Sequence, residues 1–74
     1  MTLEEKKRAL EHYFARQMRY MKHFENNSTK IVFLGHCFGA IDLMVELSPV
    51  HEQKELEDLW DEWKPRLEVE AYGF

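Results

Sequence analysis

Residues 31–41 read IVFLGHCFGAI, the longest uncharged apolar run in a chain of 74 residues. Two structures compete for it. As a strand it would end at Gly35 and turn, lifting Cys37 above a sheet. As a helix it would continue to about residue 47 and enclose Cys37. The residues that follow decide between them. At 100° per residue, Gly35, Gly39, Asp42 and Glu46 fall in one strip about 60° wide. Ile31, Val32, Phe33, Leu34, Cys37, Phe38, Ala40, Ile41, Leu43, Met44, Val45 and Leu47 take nearly all the remaining circumference, with His36 as the polar exception. In a strand, Asp42 and Glu46 would share a face with Val32, Leu34, Phe38 and Met44, which separates nothing. A helix over about 30–47 is the expected state.

That helix carries an apolar arc of about 240°, where a surface helix shows little more than 100°. Two amphipathic neighbours cover much of such an arc and leave some bare. The expectation is a symmetric dimer that covers the rest, through Phe33, Gly35, Phe38, Gly39, Ile41 and Met44. Full burial stabilises each large side chain of this set by roughly 1.5–3 kcal/mol before entropic costs. Each glycine costs about 1 kcal/mol relative to alanine inside a helix. Their shared strip therefore points to close approach of another backbone.

The flanking segments supply the neighbours. Thr2 and Glu5 form a T-x-x-E capping box, which starts a helix at Leu3. Leu3, Leu10, Phe14, Gln17, Met21 and Phe24 line one face of it, and Asn26-Asn27-Ser28 closes it near residue 25. Ser28 or Thr29 would cap the second helix. Ser48-Pro49 reads as an N-cap followed by proline at the first helical position of a third helix. Leu56, Leu59, Trp60 and Trp63 repeat at helical spacing along it. Pro65 disfavours helix at Lys64 and removes a donor, so this helix is expected to stop or kink at about residue 64. The tail, 65–74, alternates apolar and acidic residues and fits an extended arm, a further turn or a frayed end. The fold class is therefore all-α: one domain, 1–74, a small three-helix bundle with a central hydrophobic helix completed by dimerisation.

Composition narrows the function. A domain this short buries only roughly 60% of its unfolded surface and gains from an outside support. Cys37 is the single cysteine, so no internal disulfide or paired-cysteine zinc site supplies it. A lone thiol fits a reducing compartment. No signal-peptide pattern opens the chain. The apolar run is about half the roughly 20 residues of a membrane span. The expected location is the cytoplasm, without membrane attachment.

The net charge of −4 conceals a division. Residues 1–30 hold seven Lys/Arg against four Asp/Glu, and residues 31–74 hold three against ten. Nucleic acid is a poor partner for a chain whose larger part is acidic. Arg8, His12, Arg16, Arg19 and His23 nonetheless share one helix face, which suits water or an acidic face of another protein. Asp42 and Glu46, one turn apart, could share a proton or an ion, or simply face water.

Gly35-His36-Cys37-Phe38-Gly39 resembles the nucleophile elbow of α/β-hydrolases, in the cysteine form of dienelactone hydrolases. The resemblance covers about ten residues and implies Cys37 as nucleophile on a strained turn above a parallel sheet. An acid and a histidine would have to follow on later strands, and His51 is the only histidine downstream. The competing reading is a buried thiol acting as a small hydrophobe. The histidines form no metal pattern: His12 and His23 lie 11 residues apart, about 16 Å along a helix. No catalytic residue, cofactor or metal is expected. The function expected is a cytoplasmic protein-interaction module, adaptor-like or inhibitor-like, that binds its own copy. A small thiol or metal-assisted enzyme using Cys37 and a histidine is the alternative.

Overall fold

The computed structural model describes residues 1–73. It consists of three α-helices: α1 (Leu3–Met21), α2 (Asn27–Glu46) and α3 (Val50–Tyr72), with no strand among the described residues. Each helix packs on both others, in an up-down-up bundle measuring 39 × 17 × 16 Å over its Cα atoms. The three-helix bundle read from the sequence is the observed fold.

Capping chemistry sets the helix ends, and here the structure departs from expectation in detail. The Thr2–Glu5 capping box is present: the Glu5 backbone N–H donates to Thr2 Oγ1 at 3.2 Å and the Thr2 N–H donates to Glu5 Oε1 at 2.9 Å. α1 ends at Met21, four residues before the expected 25. Asn26, rather than Ser28 or Thr29, caps α2, its Oδ1 accepting from the Ser28 N–H at 2.8 Å. Asparagine suits this place because its short carbonyl reaches back to the first free N–H groups. Ser48 is not the cap of α3. Its hydroxyl turns the other way and donates to the Met44 carbonyl at 2.6 Å, closing the end of α2. Pro49 takes the cap position and α3 begins at Val50.

The larger correction concerns residues 65–74. α3 does not stop at 64; it runs through Pro65 to Tyr72. The ring removes the N–H that would pair with the Asp61 carbonyl, at a cost of about 3 kcal/mol. Leu67 and Ala71 are fully buried by the continuation, and a buried leucine alone contributes roughly 1.5–3 kcal/mol. The Arg66 guanidinium stacks 4.0 Å above the Trp63 ring, and Lys30 reaches Glu70 at 4.0 Å. Gly73, at φ 84°, ends the helix with its N–H on the Val69 carbonyl. That left-handed geometry is inexpensive only for glycine. The last tail residue, Phe74, lies outside the described residues.

The core joins Leu10, Phe14 and Met21 of α1 to Leu34, Cys37 and Ile41 of α2 and Leu56, Leu59, Leu67 and Ala71 of α3. Phe14 sits between Trp60 and Trp63, with ring centroids 5.4 and 5.9 Å away. At one end, Lys6 Nζ donates to Ser48 Oγ at 3.1 Å and Glu52 Oε1 at 2.7 Å, tying α1 to the α2–α3 turn. Gln53 donates from Nε2 to the Val45 and Ser48 carbonyls across the same turn.

Candidate functional site

α2 is the most apolar helix, yet it is mostly uncovered. Leu34, Cys37 and Ile41 face inward. Ile31, Val32, Phe38, Leu43 and Leu47 remain exposed, Leu43 at 60% and Leu47 at 73%. Its length and composition would suffice to cross a membrane, and only 17% of its apolar window is buried by the rest of the chain. The helix exceeds the run read from the sequence because Asn26 caps it early and Asp42 and Glu46 do not end it.

The residues expected to mediate self-association divide. Gly35 and Gly39 lie on the outer side of α2, and a Cβ built on either meets nothing within 4 Å. Among the described residues, no backbone of the same chain approaches them. Phe38 is 37% exposed and packs edge-on against Trp60 at 4.9 Å. Phe33 and Met44 are half-buried. Ile41, at 3% exposed, belongs to the core and has no surface to offer a second copy.

An apolar groove of about 270 Å³ runs between α1 and α2, lined by Ala9, Leu10, Tyr13, Ala40, Leu43, Met44 and Leu47. Ala9 creates it: a small side chain on α1 opposite leucines on α2 leaves a depression. The sequence reading passed over it, because Ala9 lies outside the principal stripe of α1. The detectable signal was the pair Ala9 and Tyr13, apolar positions one turn apart beside that stripe. Beyond the groove, Tyr20, Phe24 and Phe33 form an aromatic group, with Tyr20–Phe33 centroids 5.9 Å apart and Phe24 stacked on Phe33 at 5.5 Å. Tyr20 and Phe24 are 44% and 41% exposed.

Charges border this apolar face. Arg8, His12, Arg16 and Arg19 are exposed along the outer edge of α1, and His23, expected on the same helix face, is exposed in the turn just beyond its end. Arg16 lies 5.7 Å from the Tyr13 ring centroid. Asp42 and Glu46 are exposed on α2. The lysines are used differently: Lys6, Lys7 and Lys30 each meet an α3 carboxylate, Glu52, Glu55 and Glu70. Among the described residues, Arg8, Arg16, Arg19, Asp42 and Glu46 form no ion pair.

Cys37 has the surroundings of a core side chain. It lies mid-helix with no exposed surface, and burial pushes its thiol up to about 12. A nucleophilic cysteine needs the opposite, a lowered pKa and an open approach. No strand–turn–helix elbow surrounds Gly35–Gly39, since both glycines are inside α2. His36 Nδ1 lies 3.4 Å from Gln17 Oε1, and its ring meets Phe33 edge-on. His51 is exposed, 3.8 Å from Glu52 Oε2. Among the described residues, no three metal-ligating side chains converge. Compared with protein-family models, curated proteins and solved structures, the chain matches none.

Proposed function

We propose that this chain is a cytoplasmic protein-interaction module, adaptor-like or inhibitor-like, whose first partner is its own copy and which has no catalytic activity of its own. One observation carries the reading: the most apolar helix of the bundle has only 17% of its apolar window buried. Single exposed apolar residues are ordinary on soluble proteins, but a contiguous patch marks an interaction surface. Leu43 and Leu47 are exposed beside Ala40 and Met44 along an apolar groove, so they form such a patch. The unpaired arginines of α1 provide a second, polar surface for an acidic partner, and nucleic acid remains a poor match for a chain of net charge −4.

The alternative, a thiol or metal-assisted enzyme built on Cys37 and a histidine, has less behind it. Cys37 is enclosed and its thiol raised to about 12. Insertion of α2 into lipid would place Asp42 and Glu46 at or near hydrocarbon, and a carboxylate there costs several kcal/mol. Sedimentation equilibrium from 1 to 100 µM, in orders of magnitude typical of interaction measurements, tests the proposal. A dimer is the expected species. A folded monomer at every concentration would remove self-association from the reading.

A further inference from the structure

We propose that two copies join face to face through their α1–α2 surfaces, about a two-fold axis running along the bundle. Leu43 of each copy then enters the groove beside Ala9 and Tyr13 of the other. This rests on the self-association reading and adds the face, the direction and the charges that select it.

The occupant follows from symmetry and charge. The groove and its neighbouring leucines are on one surface, so the surface carries both the depression and the knob. An isologous contact requires such self-complementarity, with each residue pair occurring twice. The molecule is 39 Å long and 17 Å wide over its Cα atoms. One long face is thus on the order of the ~800 Å² that a stable interface takes from each partner.

Two in-plane axes are available for such a dimer. An axis across the helices lays α1 on α1 and α2 on α2. Arginines then meet arginines, and Asp42 and Glu46 meet their own copies. An axis along the bundle lays α1 of one copy on α2 of the other. It also leaves every residue at its own level along the bundle. Those levels are fixed within one chain: Lys6 stands beside Ser48, Gln17 beside His36 and Tyr20 beside Phe33. Interpolating, Arg8 is level with Glu46 and Ala9 is level with Leu43 and Met44, with which it lines the groove. The second arrangement therefore sets Arg8 beside the partner copy's Glu46, twice per dimer, while Leu43 meets Ala9. None of these charges is paired among the described residues. Like charges face to face destabilise and opposite charges select orientation, so the axis along the bundle wins.

The test uses the full chain and sedimentation equilibrium, with circular dichroism to verify folding. Leu43→Asp should raise the dimer Kd at least 100-fold and stay helical, because Leu43 is already 60% exposed. Arg8→Glu and Glu46→Arg should each raise Kd about 10-fold, since each reverses two contacts. The double variant should return within about 3-fold of wild type. A wild type that dimerises while the double swap gives no rescue overturns the orientation and leaves self-association standing. Dimerisation that survives Leu43→Asp and is lost in Gly39→Leu moves the contact to the glycine strip, with the same consequence. A wild type that is monomeric in buffer and co-sediments with phosphatidylcholine–phosphatidylglycerol vesicles assigns the face to lipid. That outcome overturns both readings together.

Discussion

Gly35 and Gly39 are where a single side chain tells most. The sequence places them in a common strip and suggests that another backbone lies close. Within the chain the space beside both is open. Alanine at either position therefore keeps its helical geometry and removes excess freedom from the unfolded chain. Gly35→Ala and Gly39→Ala should each stabilise the folded protein by about 1 kcal/mol, measured by urea denaturation at low concentration. Loss of stability that appears only at concentrations where copies associate would mean that a neighbouring copy occupies that strip. Cys37 offers a second measurement at this scale. A thiol reagent at neutral pH should label it only as fast as the bundle opens, and at full speed in denaturant. Its pKa is raised from about 9 to about 12, so the folded state holds a proton that the unfolded state loses first. The thiol's contribution is thus fully present below pH 9 and declines as pH rises from 9 towards 12. Cys37→Ala should flatten that alkaline decline in a pH series of melting temperatures.

At the scale of the element, α1 and α3 show local rules obeyed and overruled. Thr2 and Glu5 start α1 as their spacing dictates. The hydrogen bond from the Thr2 backbone, then that from its hydroxyl, hold the Glu5 carboxyl below its usual value of 4.5. Its folded pKa is depressed, so its stabilising contribution is present above that value and is lost as pH falls through the lowered one. Acidification below pH 4.5 should therefore fray the first turn, seen as faster amide exchange near Glu5. Thr2→Ala keeps the backbone N–H and loses only the hydroxyl, so it should weaken that pH dependence without abolishing it. In α3 the local rule fails. Proline forfeits one hydrogen bond at Asp61, but the continued helix buries Leu67 and Ala71 completely. Replacing Pro65, which is exposed, with alanine restores the bond and costs some unfolded-state rigidity. Pro65→Ala should thus stabilise by about 1–2 kcal/mol in denaturant unfolding. A destabilised variant would show that a bend at Pro65 is what aims Leu67 inward.

For the whole molecule, charge division becomes internal pairing. Lys6 and Glu52, 12% and 15% exposed, form the most sheltered ion pair of the bundle at 2.7 Å. Removing one partner leaves the other sheltered and uncompensated. Lys6→Met should cost about 2 kcal/mol, and Glu52→Gln should recover part of that loss in the Lys6→Met background, as a double-mutant cycle would read. The basic N-terminal region thus pairs Lys6, Lys7 and Lys30 with α3 and leaves its arginines outward, with Asp42 and Glu46 similarly unpaired on α2 among the described residues.

How much was legible follows from the range of each interaction. Periodicity is a local property, so α1, α2, the start of α3 and the inward faces around Leu10, Phe14, Leu56 and Leu59 could be read from spacing alone. The excess apolar circumference of α2 was equally plain, because it compares residues within one helix. Three things required the assembled bundle. Helix continuation past Pro65 depends on a core site awaiting Leu67 from α1 and α2. The direction of Ser48 depends on whether Met44 or its own following turn presents the nearer free group. The groove at Ala9 exists only once α2 lies against α1, since a depression belongs to two elements together. Sequence determined the elements because backbone and side-chain periodicity act over one turn. Tertiary structure alone decided which apolar residues stay outside, because burial is settled by neighbours distant along the chain.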